Sequence, residues 1–300
     1  MTSPRILLLG KNGQVGRELQ RSLAPLAELV ALDRHSTPHT GNLSDLDGLR
    51  ATLRALQPTV IINAAAYTAV DKAESEPELA RLINAIAPGL LAEEAMRLGA
   101  LLVHYSTDYV FDGSGNTPWK ETDRTGPLGA YGQTKLEGEQ AIQASGARHL
   151  ILRSGWIHSR HGHNFARTML RLARERETLT VVDDQCGAPT GADLVADVTT
   201  KALRQLLAGH AAGGLYHLSA AGETTWHDYA SYLINAARQR YPDLPWTVKR
   251  IEAVPSSGYP TAARRPLNSR LDCRALQRTF DLMLPPWQQG AEQLLNQGPP

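Results

Sequence analysis

The feature that most constrains the fold is a glycine-rich turn between an apolar run and an amphipathic stretch near the start of the chain. Residues 5–9 (RILLL) are typical of a buried strand, and the G-x-x-G-x-x-G motif of residues 10–16 follows directly. After the turn, apolar residues recur at the spacing of one helical face. A strand, a glycine turn and a helix in this order predict a unit whose backbone can approach a phosphate group closely.

The same alternation continues through the first half of the chain. Further apolar runs, typical of buried strands, occupy residues 28–32, 59–63, 101–104 and 149–153. Helical stretches separate them, including residues 77–98, where we expect the helix to be broken or re-entered at Pro88, and residues 130–144. Continuous apolar strands separated by helices predict a parallel sheet covered on both faces. We therefore expect an α/β fold, a Rossmann-type doubly wound parallel sheet.

The second half of the chain is less regular. Helices are predicted near residues 164–176, 193–208 and 226–240, and strands at residues 179–182 and 214–218. Residues 241–266 are rich in Pro and Gly and lose helical periodicity. We expect an NAD(P)-binding domain at residues 1–155 and a smaller α/β substrate-binding domain over most of residues 156–300, with later segments able to rejoin the first domain.

Composition excludes several classes of protein. Lys and Arg total 31 against 30 Asp and Glu, so no basic excess indicates a nucleic acid polymer as partner. No apolar run approaches the ~20 residues that span a bilayer. Cys186 and Cys273 are too few for a disulfide framework or a zinc knuckle. Because the chain also begins without a secretory signal pattern, we expect a cytoplasmic protein that does not bind membranes.

The glycine turn predicts a dinucleotide site, because glycines allow close approach to a pyrophosphate and the following helix offers free N–H groups. Asp33 ends the second strand, where a carboxylate binds the adenine ribose hydroxyls and disfavours a 2′-phosphate, but Arg34 could do the reverse. The choice between NADH and NADPH therefore stays open. The candidate cofactor residues are Gly10, Asn12, Gly13, Gln14, Val15, Gly16, Asp33, Asn42, Leu43, Ala64, Ala65, Ala66, Tyr105, Tyr131 and Lys135.

Tyr131 and Lys135 are four positions apart, on one face of a predicted helix. A phenol has a pKa near 10, and a nearby ammonium is expected to lower it. Such a pair can exchange a proton with an oxygen that undergoes hydride transfer. Ser106 and Thr107 end the fourth strand, so their hydroxyls are expected at the carboxyl edge of the sheet, where open parallel sheets bind ligands.

Together these motifs resemble the extended short-chain dehydrogenase/reductase family. The similarity spans nearly the whole chain and includes four longer segments, at residues 63–74, 105–113, 184–190 and 264–271. Within that family, the resemblance of these four segments implies an enzyme that reduces the 4-keto group of dTDP-4-dehydro-β-L-rhamnose with NADH or NADPH. The product would be dTDP-L-rhamnose, and the reaction would be the last step of dTDP-rhamnose synthesis.

The resemblance also implies roles for individual side chains. Tyr131 is the expected proton donor, Lys135 tunes it and holds the nicotinamide ribose, and Thr107 bonds the sugar oxygen. The further candidate substrate contacts are Asp108, Trp156, Arg264 and Arg265, of which Trp156 could equally serve core packing and the arginines a solvated loop. Gly155 replaces a side chain that the family pattern often carries beside the sugar site.

A metal ion is not predicted to be catalytic. Some members of the family carry Mg²⁺ at a dimer contact, at positions that match Glu18 and Asp193 here. Hydride transfer assisted by a phenol needs no metal, and His161 and His163 lack an apparent third ligand. We therefore predict no metal site, although Mg²⁺ binding and a homodimer are compatible with the resemblance.

Two alternatives stay open at this point. A nucleotide-sugar epimerase or dehydratase would share the fold, although Thr107 is followed by Asp108-Tyr109 and not by the Asp-Glu pair of dehydratases. A non-catalytic regulatory subunit, resembling that of methionine adenosyltransferase, would bind the cofactor without turnover. The Tyr131 and Lys135 pair argues weakly against that role.

Overall fold

A computed structural model describes residues 4–298 of the chain. The strands are β1 (Arg5–Leu9), β2 (Glu28–Leu32), β3 (Val60–Asn63), β4 (Leu101–Thr107), β5 (His149–Ser154), β6 (Ile157–His158), β7 (Thr178–Val182), β8 (Cys186–Gly187), β9 (Thr190–Gly191), β10 (Gly214–His217), β11 (Thr224–Thr225) and β12 (Arg250–Val254). The helices are α1 (Gln14–Leu23), α2 (Leu46–Leu56), α3 (Val70–Ala73), α4 (Pro77–Arg81), α5 (Ala87–Leu98), α6 (Ala130–Ala144), α7 (Phe165–Glu175), α8 (Ala192–Leu207), α9 (Trp226–Arg240), α10 (Arg274–Phe280) and α11 (Trp287–Asn296).

The centre of the fold is a parallel sheet in the order β10-β5-β4-β3-β1-β2. Successive residues of β1 point to opposite faces, so Ile6 and Leu8 pack in one apolar cluster and Leu7 and Leu9 in another. The first cluster includes residues of α1 and α8, and the second includes residues of α2 and α5. The sheet is thus covered on both faces, and the predicted Rossmann-type α/β fold is confirmed.

The second half of the chain returns to this sheet. β10 pairs with β5 at the sheet edge, and α8 packs beside α1. Between these elements, α7, α9 and α11 surround two smaller apolar clusters, and β7 pairs in parallel with β12. The sequence analysis did not predict β12, because its five residues are largely exposed and lie in a Pro- and Gly-rich stretch.

The helical stretch over residues 77–98 has no gap at Pro88, but the α-helix is re-entered there, since α5 begins at Ala87 and Pro88 lies in its first turn. A π-helical turn at Leu82–Ile86 joins α4 to α5 just before the proline. Proline has no N–H to donate to the carbonyl of Asn84 four residues earlier. That carbonyl instead faces Gly138 of α6, where an added Cβ would lie 2.1 Å from it. The turn thereby lets α6, which carries Tyr131, pack closely.

Within residues 4–298, no helix is long and apolar enough to cross a membrane.

Candidate active site

The glycine turn lies at the carboxyl edge of the sheet, between β1 and α1. Gly10 has a φ of 89°, and a Cβ there would lie 2.7 Å from the Ala65 nitrogen. A Cβ at Gly16 would lie 2.0 Å from the Gly10 oxygen. α1 begins without a side-chain cap or an acidic residue in its first turn. The turn therefore presents free N–H groups at a bare backbone surface, which fits a pyrophosphate.

The Asp33 carboxylate already has several donors around it. It accepts hydrogen bonds from Asn12 Nδ2, from the His35 N–H and from Ser36 Oγ, and Lys11 Nζ lies 3.8 Å from its Oδ2. The His35 N–H is the main cause that lowers the pKa of Asp33. The predicted ribose ligand is therefore partly satisfied by the protein, and a lysine ammonium stands beside it.

Three of the other candidate cofactor residues turn their side chains to protein partners. Gln14 Oε1 accepts hydrogen bonds from Ser159 and Asn164. Asn42 Oδ1 accepts from Ser44, and the Leu43 side chain is 4% exposed, inside the apolar cluster of one sheet face. The side-chain oxygens of Gln14 and Asn42 are thus engaged by the protein, and the cofactor roles of all three residues stay predictions.

Tyr131 and Lys135 lie on α6 with different surroundings. The Lys135 side chain is 2% exposed, and its Nζ donates to the Tyr105 carbonyl at 2.6 Å. Burial lowers the pKa of Lys135 to about 8. Burial also raises the pKa of Tyr131 to about 12, although a hydrogen bond with Thr107 opposes this shift. The lowering of the Tyr131 pKa expected from the sequence is therefore wrong for the structure, because removal from water outweighs any effect of the ammonium.

Thr107 ends β4, and Asp108 begins the turn that follows it, beside Tyr131. Thr107 Oγ1 donates to Asp108 Oδ1 at 3.0 Å and accepts from the Tyr109 N–H at 3.1 Å. Asp108 is 1% exposed, and burial raises its pKa to about 6. Gly155 makes room for it, since a Cβ there would lie 2.5 Å from Asp108 Oδ1. The missing side chain at Gly155 thus accommodates a buried carboxyl group.

A cavity of about 820 Å³ extends from this edge into the second half of the chain. Tyr109 and Arg264 line both this cavity and a small recess that Tyr131 borders, so the recess and the cavity are neighbours. Phe165, Gln185 and Trp226 line the far wall. The dimensions suit a ligand of the size of a nucleotide sugar.

Trp156 and Trp226 form a stacked pair, with ring centroids 3.5 Å apart and planes 8° apart. Trp156 has a φ of 52°, in the left-handed region that non-glycine residues rarely adopt. Gly187 permits its placement, because a Cβ there would lie 2.7 Å from the indole ring. Trp156 therefore supports Trp226, which lines the cavity and which the sequence analysis did not single out; no periodicity or motif marked it.

The two candidate arginines differ. Arg265 Nη1 and Nη2 lie 3.2 and 2.8 Å from the two Asp71 oxygens, so its guanidinium is paired. Arg264 is exposed at the mouth of the cavity. Of these two arginines, only Arg265 forms an ion pair with another residue of the range 4–298.

The acidic residues considered for Mg²⁺ lie away from the phenol. Glu18 Oε2 accepts from Arg21 Nε at 3.0 Å, and Asp193 is near the buried His158. In the part of the chain that the structure describes, no three His, Cys, Asp or Glu side chains are grouped so as to hold a metal ion.

Comparison with known proteins identifies the family. The chain matches the family described as the RmlD substrate binding domain over residues 4–298. It is 54% identical to the dTDP-4-dehydrorhamnose reductase of Escherichia coli over 292 residues, which cover 97% of each chain. The chain belongs to the dTDP-4-dehydrorhamnose reductase family. It is also 55% identical to the reductase of Salmonella typhimurium, again over 97% of each chain.

Solved structures of dTDP-4-dehydrorhamnose reductases share the fold. The reductase of Bacillus anthracis, crystallised in complex with NADP, aligns with a TM-score of 0.89 at 31% identity and covers 99% of this chain and 100% of its own. The reductase of Clostridium acetobutylicum aligns with a TM-score of 0.88 at 33% identity, over 98% and 99% of the two chains. The expected membership of the extended short-chain dehydrogenase/reductase family is thereby confirmed.

Proposed function

We propose that the protein reduces the 4-keto group of dTDP-4-dehydro-β-L-rhamnose to give dTDP-L-rhamnose, as the similar reductases of its family do by name. The single observation that carries this proposal is the position of Tyr131. It borders a recess that shares Tyr109 and Arg264 with the lining of the large cavity, and it lies on α6, next to the end of β4. This position is where a keto-sugar in the cavity and a nicotinamide at the sheet edge would meet.

NADH or NADPH supplies the hydride when bound. The Tyr131 hydroxyl gives its proton to the oxygen that becomes negatively charged, and Thr107 Oγ1 holds that oxygen in place. A phenol with a pKa near 12 is protonated at neutral pH and is ready to donate. Lys135 holds the nicotinamide ribose and, as a cation, stabilises the phenolate that remains.

The fold suggests that one part of the chain binds the cofactor and the other binds the substrate. The central sheet with α1, α2 and α5 forms the cofactor half over residues 1–155, joined by α8 and β10 from later in the chain. Most of residues 156–300 build the walls that hold the nucleotide sugar. The nucleobase lies against Trp226 and Phe165, and Asp108 contacts the sugar. A cytoplasmic location and a homodimer remain predictions of the sequence.

Arg264 is proposed to bind the diphosphate, because it is the unpaired cation at the cavity mouth. Arg264→Ala should raise the KM for the dTDP-sugar by about 10-fold with little change in kcat, since a hydrogen bond to a charged group contributes ~1.5 kcal/mol. Steady-state kinetics measure both constants. Arg278→Ala, on α10, is the matched control and should leave both unchanged; an unaltered KM in Arg264→Ala would remove the diphosphate contact.

Lys11 is proposed to favour NADPH, because its ammonium lies where a ribose 2′-phosphate would enter beside Asp33. Lys11→Ala should raise the KM for NADPH by about 5-fold, the effect of ~1 kcal/mol at an exposed ion pair, and leave the KM for NADH nearly unchanged. Lys249→Ala serves as the distant lysine control. Equal effects on both cofactors would show that Lys11 does not discriminate between them.

The proposed function is tested by incubating the purified protein with NADPH and the dTDP-4-keto sugar. One NADPH should be oxidised for each dTDP-L-rhamnose formed. An epimerase or a dehydratase would convert the sugar without net oxidation of NADPH. A regulatory subunit would bind NADPH and leave the sugar unchanged, and either result would overturn the proposal.

A further inference from the structure

His104 and Asn63 form a buried pair of polar side chains next to Lys135. Both are 1% exposed, and they are neighbours in the ladder that joins β3 to β4. Asn63 Nδ2 lies 3.2 Å from His104 Nδ1, and His104 Nε2 lies 3.2 Å from Lys135 Nζ. The imidazole therefore connects the end of β3 with the lysine.

The backbone fixes which way this chain of hydrogen bonds runs. The Ala65 N–H donates to Asn63 Oδ1 at 3.2 Å, so the amide nitrogen of Asn63 must face the imidazole. An amide NH₂ group only donates, and therefore Nδ1 of His104 must accept. A neutral imidazole that accepts at Nδ1 carries its proton on Nε2.

This tautomer points an N–H at Lys135. An ammonium has three donors and no acceptor, whereas a neutral amine has one lone pair that can accept. With a neutral amine, all four hydrogen bonds have one donor and one acceptor. The Ala65 N–H donates to Asn63, Asn63 donates to His104, His104 donates to Lys135, and Lys135 donates to the Tyr105 carbonyl. With an ammonium, two donors face each other unless the imidazole proton moves to Nδ1 and Asn63 abandons the Ala65 N–H.

We propose that His104 is a positioning residue that favours the neutral amine form of Lys135, and that Asn63 enforces this by selecting the Nε2–H tautomer. The proposal rests on the proposed function, in which Lys135 acts as a cation. For that function, the proposal means that Lys135 loses its positive charge at a pH closer to neutral than an ordinary lysine does.

The charged groups around Lys135 are consistent with this effect. Glu139, one turn further along α6, favours the ammonium but is itself paired with Arg153 of β5. Asp108, in the turn after β4, acts on Tyr131. Burial is the main cause that holds the pKa of His104 well below its ordinary value, so the imidazole is neutral. Activity that needs the ammonium is therefore present below the pKa of Lys135 and is lost as the pH rises through it.

The tautomer can be read directly by ¹⁵N NMR of the imidazole rings in the full-length protein near neutral pH. His104, assigned by the signal that His104→Gln removes, should show the Nε2–H pattern. An Nδ1–H pattern would overturn the proposal. This measurement needs no turnover, so its result is independent of whether the proposed reductase activity is found.

Asn63→Asp tests the consequence for Lys135. The carboxylate keeps the shape of Asn63 but only accepts, so it should switch His104 to the Nδ1–H form and free Nε2 to accept from the ammonium. The high-pH limb of kcat/KM should then move up by about one pH unit, a tenfold change in proton affinity.

Asn84→Asp is the matched control, because Asn84 is equally buried and bonds Thr134, the neighbour of Lys135, without contacting His104. It should leave the tautomer and the pH limb unchanged. An equal movement of the limb in both variants, with His104 still Nε2–H, would assign the effect to added charge and contradict the proposal.

Discussion

Tyr131→Phe is expected to lower kcat for the dTDP-keto-sugar by about 10²–10⁴-fold, the usual contribution of a positioned general acid. The substitution removes the hydroxyl that bonds Thr107 but leaves the ring, which packs edge-on against Tyr109 with centroids 5.7 Å apart. The KM for the sugar and the Kd for NADPH should change little, because neither depends on the proton. Stopped-flow or steady-state assays give kcat, and fluorescence titration gives the Kd.

Tyr216→Phe provides the control for this loss. Tyr216 is also buried, but it lies on β10 and donates to the Ala212 carbonyl, away from the cavity. It should retain nearly the full kcat. A Tyr131→Phe enzyme with a kcat close to that of Tyr216→Phe would show that another group supplies the proton.

Arg153→Met is expected to lower the free energy of unfolding by about 3–5 kcal/mol, the cost of leaving a buried charge unpaired. Arg153 of β5 and Glu139 of α6 are 4% and 1% exposed, and two hydrogen bonds of 2.9 and 2.6 Å join them. Removal of the guanidinium leaves the Glu139 carboxylate without its counter-ion. The change is measured as the difference in free energy from urea unfolding curves.

The control is the double variant Arg153→Met/Glu139→Leu. It replaces both charges by apolar groups and should recover most of the lost stability, because an apolar pair of similar volume is often as stable as a buried ion pair. A single variant that loses less than about 1 kcal/mol, the value of a surface pair, would mean that solvent reaches Glu139. The Arg153–Glu139 ion pair would then not be the contact that holds α6 against β5.

The sequence predicted the sheet well, because its physical signal is local. Each of the apolar runs at residues 5–9 and 101–104 is buried on both faces, and a glycine turn between strand and helix admits few alternatives. Weaker local signals failed: β12 is short and exposed, and the π-helical turn just before Pro88 was not predicted.

The candidate site was predictable only in part. The spacing of Tyr131 and Lys135 and the family resemblance placed the chemistry on α6. The direction in which the Tyr131 pKa shifts could not be predicted from the sequence, because it depends on how far folding removes the hydroxyl from water. Trp226 stacks on Trp156, which is 70 positions away in the sequence. His104 contacts Lys135 of α6, and its tautomer is set by Asn63 of β3. Contacts between distant segments leave no pattern within any one segment.

The transfer of the hydride to the sugar is the central claim, and isotope transfer tests it most directly. The protein is incubated with the dTDP-4-keto sugar and NADPH that carries deuterium at both C4 positions of the nicotinamide. The product should be dTDP-L-rhamnose with one deuterium at C4 of the sugar, seen by NMR and mass spectrometry. A product without deuterium at C4, or sugar converted while the labelled NADPH stays intact, would contradict the account.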